Sequence, residues 1–169
     1  MLTGRPGTGK TSLIKQVVAG LGGKAGGFYT EEIRSHRVRE GFRMVTLDGR
    51  SAILAHINIQ SHYRVSKYGV DLDSLDRVGV SALHEAARGC DLVVIDEIGK
   101  MELFSASFRE AVSRIIESGK KVLGTIMLNP NPWADALKHR PEVNLVTVTR
   151  DNHREVLEKL SQWLDIAGR

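Results

Sequence analysis

Close to its N-terminus the chain reads GRPGTGKTS, from Gly4 to Ser12. Gly4, Gly9, Lys10 and Thr11 occupy the fixed places of the pattern G-x-x-x-x-G-K-[ST]. Arg5, Pro6, Gly7 and Thr8 fill the variable places, and Ser12 follows. The residue types explain the spacing. Glycines let the backbone curl until successive N–H groups point inward at phosphate oxygens. The loop then feeds a helix N-terminus, whose unpaired N–H groups and dipole also favour an anion. The Lys10 ammonium can reach the β- and γ-phosphates, the Thr11 hydroxyl can ligate magnesium, and Pro6 stiffens the loop. Gly4 to Ser12 is therefore the expected nucleotide-binding loop.

A second chemical feature is DLVVIDE, Asp91 to Glu97. An apolar strand ending in an aspartate suits the second carboxylate of a P-loop site, so Asp96 joins Thr11 as an expected magnesium ligand. Glu97 comes next and is placed to orient and deprotonate an attacking water. Thr125 ends KVLGT. If that strand lies beside Asp96, its hydroxyl can sense the γ-phosphate or the water. Lys100 and Glu102 fall in what reads as a solvent-exposed loop, and spacing alone gives neither a catalytic role. The six histidines show no paired ligand spacing and the lone Cys90 has no partner, so no zinc or iron site is expected.

These groups need elements to hold them. TSLIKQVVAGLGG places Leu13, Ile14, Val17, Val18 and Leu21 at helical spacing, with Gly22-Gly23 as the stop. GFYTEEIR, EGFRMVTL and RSAILAHI read as an antiparallel meander over about 27–56. Residues 56–80 are poorly legible; YGVDLDSL is expected to turn into a helix continuing through SALHEAARG. Leu92 to Ile95 suit a strand buried on both faces. SASFREAVSRIIESG is a marked helix, with Ser107 and Glu110 as its capping box and Phe108, Ala111, Val112, Ile115 and Ile116 as its buried stripe. KVLGTIM and VNLVTVT read as strands, NPWADALKH and DNHREVLEKLSQWL as helices. Strands alternating with helices predict an α/β layered fold with a mostly parallel central sheet, over 1–169 as one domain. Met1, Leu2 and Thr3 leave only a stub for the first strand, and the expectation is a natural start a few codons upstream.

The bulk composition sets limits. With 41% hydrophobic and 26% charged residues the chain reads as globular rather than disordered. No apolar run approaches membrane-helix length and no signal-peptide pattern opens the chain. With one cysteine, a reducing, cytoplasmic setting is expected, and the chain is expected to be a monomer. A net charge of +4 suits an anionic partner. Arg34, Arg37, Arg39 and Arg43 cluster in RSHRVREGFR, which reads as a solvated hairpin and leaves nucleic acid as a possible partner.

Taken together, the motifs resemble the THEP1-type nucleoside-triphosphatase family, which includes the cancer-related nucleoside-triphosphatase. The most specific stretch is IDEIGKMELFSASF, Ile95 to Phe108. GFYTEEIR, GFR (Gly41 to Arg43), KYGVDL (Lys67 to Leu72) and VLGT (Val122 to Thr125) are similar to family segments in the family's order. The resemblance implies a P-loop α/β domain with an inserted meander and magnesium-dependent hydrolysis of ATP, GTP, CTP and UTP. It carries site roles onto Gly4 to Thr11 and onto Ile95, Asp96, Glu97, Ile98, Gly99 and Lys100. Three places depart from the family: the short first strand, Asn152-His153 for an asparagine–arginine pair with Arg154 displaced by one, and Ser66 for a glycine. The residues themselves also leave open a kinase, in which an acceptor hydroxyl replaces water, and a nucleotide-dependent RNA-binding switch. Arg34 and Arg43 are the candidate arginine fingers.

Overall fold

The computed structural model describes residues 1–167, with side chains to Asp165. A two-residue strand β1 (Leu2–Thr3) leads through helix α1 (Lys10–Ala19) into β2 (Ala25–Ser35), β3 (Val38–Thr46) and β4 (Ser51–His56). A small hairpin of β5 (Arg64–Val65) and β6 (Tyr68–Val70) follows. Next come α2 (Leu72–Ser74), a π-helical stretch Leu75–Val80, and α3 (Ser81–Gly89). The rest alternates: β7 (Leu92–Ile98), α4 (Ala106–Glu117), β8 (Lys121–Ile126), α5 (Pro132–Lys138), β9 (Val146–Thr147) and α6 (His153–Ala167).

Among the described residues these strands make one nine-stranded sheet, ordered β5-β6-β4-β3-β2-β7-β8-β1-β9. The strands from β2 to β9 run parallel, and those from β2 to β5 antiparallel. β2 is the pivot. Its first residues, Ala25–Phe28, pair with β7, and from Phe28 onward its other edge pairs with β3. The meander is thus a direct extension of the parallel sheet. That junction needs Gly27, at φ +112°, because a Cβ there would sit 2.0 Å from the Val94 carbonyl oxygen.

The strand alternation explains the two cores. Leu92 and Val94 of β7 pack with Leu13, Ile14 and Val17 of α1 and with Val156 and Leu160 of α6. Val93, Ile95 and Ile98 face the other way, onto Phe108, Val112 and Ile115 of α4 and Leu83 of α3. A sheet covered on both faces is the layered α/β arrangement expected from sequence.

Several local expectations are corrected. The cap of α4 is Ser105, not Ser107: its extended backbone lets its hydroxyl accept from the Phe108 N–H at 3.0 Å, while Ser107 already lies inside the helix. Helix α1 stops at Ala19 and is capped by Gly20, ahead of Gly22-Gly23, which instead open a short 3₁₀ turn. VNLVTVT gives only Val146–Thr147 as strand, since β9 pairs along a β1 that is itself two residues long. Tyr68–Val70 is a strand before the helical run begins, paired with β4 on one side and β5 on the other.

Candidate active site

The parallel order brings three strand ends to one edge. β8 lies between β1, which ends at the phosphate loop, and β7, which ends at the acidic pair. Thr125 therefore sits between the two halves of the site, as expected if KVLGT lies beside Asp96.

The loop itself is shaped by Gly7 (φ +78°) and Gly9 (φ +85°). Gly9 caps α1 in the left-handed conformation, and no side chain caps the helix. The first-turn N–H groups therefore stay available to an anion. Gly4 seats the loop against the neighbouring strand: a Cβ there would lie 2.4 Å from the Val148 carbonyl oxygen. The Lys10 ammonium folds over the loop and donates to the Gly4 and Arg5 carbonyls at 2.9 and 3.0 Å. Thr8 donates to the Arg5 carbonyl at 2.9 Å. Arg5, Pro6, Gly7 and Ser12 are exposed.

On the β7 side, Asp96 is 2% exposed. Its Oδ1 accepts from the Thr125 hydroxyl at 2.6 Å, and its Oδ2 is buried with no hydrogen-bond partner among the described residues. The register slips here, since Ile95 pairs with Gly124 and Ile98 with Ile126, so three steps on β7 match two on β8. The bulge falls on Asp96-Glu97, whose peptide is cis. The Asp96 carbonyl accepts from the Thr30 hydroxyl of β2 at 2.8 Å. Ile95 and Ile98 are fully buried and Gly99 is buried, so their side chains belong to the core, whereas Lys100 is exposed.

Electrostatics single out the same corner. Burial raises the Asp96 carboxyl above the ordinary aspartate range, opposed by the Thr125 and Thr11 hydroxyls and by the charges of Lys15 and Lys10. Glu97 is raised by desolvation and by the neighbouring Asp96, with Lys10 opposing. Its side chain still reaches solvent, so that desolvation is partial. Thr11 and Asp96 are the residues that could hold a cation. Among the described residues no cluster of three or more His, Cys, Asp or Glu side chains forms a closed metal cage. A 600 Å³ cavity opens elsewhere, beside the start of β2 and α3, and no phosphate-loop residue lines it.

Some residues at this edge escaped sequence reasoning. Glu102, read as exposed loop, is only 2% exposed. A 3₁₀ turn, Glu102–Phe104, folds it inward, and its Oε2 accepts from the Gly99 N–H at 3.1 Å. Thr30 and Lys15 carry no local signal. His153, the departure noted above, lies against the loop with Nε2 3.3 Å from the Gly9 carbonyl oxygen. Asn152 braces the same turn, bonding the Thr149 N–H and the Thr147 carbonyl, each at 2.8 Å. Arg154 points away to Glu158 at 3.2 Å. The two finger candidates are both engaged within the meander, Arg34 with Glu32 at 2.6 Å and Arg43 with Glu31 at 3.5 Å.

Comparison with known proteins bears on the chain as a whole. Residues 1–161 match the family model described as NTPase. Nucleoside-triphosphatase THEP1 of Thermotoga maritima is 44% identical over 160 residues, covering 95% of this chain and 91% of that protein. The cancer-related nucleoside-triphosphatase homolog of Mus musculus is 38% identical over 172 residues, 92% of this chain and 90% of that protein. The crystal structure of THEP1 from Aquifex aeolicus superposes with a TM-score of 0.90 at 35% identity over 97% of each chain. The solution structure of a human cancer-related nucleoside triphosphatase gives 0.80 at 36% identity, over 96% of this chain and 95% of that one. Matched over nearly its whole length in sequence and in fold, this chain belongs to the THEP1 nucleoside-triphosphatase family.

Proposed function

We propose that the chain hydrolyses nucleoside 5′-triphosphates, ATP, GTP, CTP and UTP among them, to the diphosphate and phosphate in a magnesium-dependent reaction. The observation that carries this reading is the unpartnered, buried Oδ2 of Asp96, held between Thr125 and the phosphate loop, with Glu97 directly beside it. A buried anionic oxygen with no donor is costly unless a cation joins it. Thr11 and Asp96 would hold magnesium, a hard cation suited to their oxygens. When bound, the ion neutralises charge on the β- and γ-phosphates.

The chain's own groups supply the rest. Loop N–H groups and the α1 N-terminus orient the triphosphate. Lys10 leaves the loop carbonyls for the phosphate oxygens. Thr125 fixes the Asp96 carboxylate in one rotamer. Glu97 takes a proton from water as the water oxygen bonds the γ-phosphorus and the bridging bond to the β-phosphate breaks. Its raised carboxyl, nearer neutrality than an ordinary glutamate, suits that base role. With Arg34 and Arg43 held by glutamates, turnover is expected to be slow unless an arginine comes from elsewhere. No described helix is long and apolar enough to cross a membrane. The working unit we propose is a cytoplasmic monomer in which residues 1–169 act as one domain.

The test is phosphate release from each of the four triphosphates, with and without magnesium and with no acceptor present. Lys10→Ala is expected to abolish turnover, and Glu97→Gln to keep nucleotide binding while losing hydrolysis. Full activity in Glu97→Gln removes Glu97 from the mechanism. Phosphate release that appears only with an added hydroxyl acceptor makes the chain a kinase.

A further inference from the structure

Glu102 is a buried carboxyl that the mechanism above leaves unused. Its Oε2 accepts from the Gly99 N–H at 3.1 Å, and the Gly99 carbonyl accepts from the Leu103 N–H at 3.0 Å. Both polar groups of Gly99 are thus tied into the turn that Glu102 begins. Gly99 in turn touches the base. A Cβ on Gly99 would lie 2.6 Å from Glu97 Oε1 and 3.1 Å from Glu102 Oε2, so both carboxyls crowd the same side of Gly99. A short turn can be closed by serine or asparagine without burying an ionisable group. Among the described residues no cation offsets Glu102, and its neighbours Glu97 and Asp96 are acidic. Turn closure alone does not explain a glutamate in such surroundings.

We infer that Glu102 is a positioning residue for hydrolysis: it holds Gly99 against the end of β7, and so fixes the carboxyl of Glu97 on the side facing the phosphate loop. The inference rests on Glu97 being the base. Removing the Gly99 acceptor frees that strand end to shift, and a displacement of about 1 Å at a catalytic group can cost about a hundredfold in rate. Nucleotide binding, which rests on the loop N–H groups and Lys10 rather than on Gly99, is expected to be left alone.

The test compares four single variants and one double variant of the full chain by steady-state phosphate release, with melting curves as a control on folding. Glu102→Ala and Glu102→Asp, which is too short to reach Gly99, are each expected to lower kcat about tenfold to a hundredfold with KM held within about twofold. Glu102→Gln keeps an oxygen acceptor for Gly99 and is expected to hold kcat within about threefold. In the Glu97→Gln background, Glu102→Ala should cost nothing further. Should Glu102→Ala not fold, Glu102→Asp and Glu102→Gln carry the comparison. Parental kcat in Glu102→Asp, equal losses in Glu102→Asp and Glu102→Gln, or a KM rise matching the kcat loss overturns the inference. When Glu97→Gln is inactive, those results overturn it alone; parental turnover in Glu97→Gln overturns it together with the assignment of the base.

Discussion

A side chain at Gly99 has almost no room: the position its Cβ would take lies against both the Glu97 and the Glu102 carboxyls. Gly99→Ala therefore has a predictable signature. The nearest clash is with the tip of a flexible glutamate, so the fold can yield, whereas the proposed base is pushed out of place. We expect a kcat loss of about a hundredfold with little change in melting temperature; a full kcat would mean that Glu97 does not work from this rotamer. Glu102 gives a second prediction, in stability. Burial first, and then the Glu97 charge, raise its carboxyl well above the ordinary glutamate value. Between the unfolded and the raised folded value the native state binds more protons, so stability falls as pH rises through that window. Glu102→Gln removes the titration. Its melting temperature should match the parent at acid pH and exceed it at neutral pH, and parallel curves would sink the idea. At this scale the phosphate loop and Asp96-Glu97 were readable because their chemistry is spelled in adjacent residues. Glu102 and Thr30 were not, since their roles depend on a turn closing inward and on a strand 66 positions away in sequence.

Helices and buried strands were legible where periodicity is strong. The stripe of α4 stands where its spacing put it, and Val93 and Ile95 separate from Leu92 and Val94 onto opposite faces. Element ends were less legible because a cap is decided by one backbone conformation. In α4 two serines compete. Ser105 takes the cap because it alone lies outside the helix, where its hydroxyl also donates to Asp76 Oδ1 at 2.5 Å. We expect Ser105→Ala to cost about 1–2 kcal/mol. Ser107→Ala, at an exposed helical position, should stay within about 0.5 kcal/mol. Denaturant midpoints of the two variants check this, and equal midpoints would return the cap to Ser107. The β5–β6 hairpin escaped for another reason. Strands of two and three residues carry too little alternation to register, and only the pairing of β6 with β4 makes them strands.

Across the whole molecule, the site depends on how firmly β1 holds the phosphate loop. β1 contributes Leu2, which faces Thr125 on one side and Val146 on the other, and Thr3, which faces Thr147. Behind it the sheet offers more than β1 uses. β8 begins at Lys121, so its first residues have no β1 partner, and a groove of about 360 Å³ lined by Val122, Leu123, Val143 and Trp163 continues the line of β1 beyond Met1. Two or three apolar residues added ahead of Met1 would extend β1 along that groove, in register with Leu123 and Val122. Each buried apolar side chain is worth about 1.5–3 kcal/mol against an ordering cost of about 1–2 kcal/mol. A net gain of about 1–2 kcal/mol is expected, a rise in melting temperature of about 2–8 °C for a chain of this size. The ratio of turnover among ATP, GTP, CTP and UTP should not move, because Gly4 keeps its seat against Val148. A raised melting temperature with unchanged ratios would show that the strand anchors the loop without shaping it. An unchanged melting temperature would mean that pairing on both edges already makes two residues enough, and a changed ratio would mean that the strand reaches further into the site than its length implies.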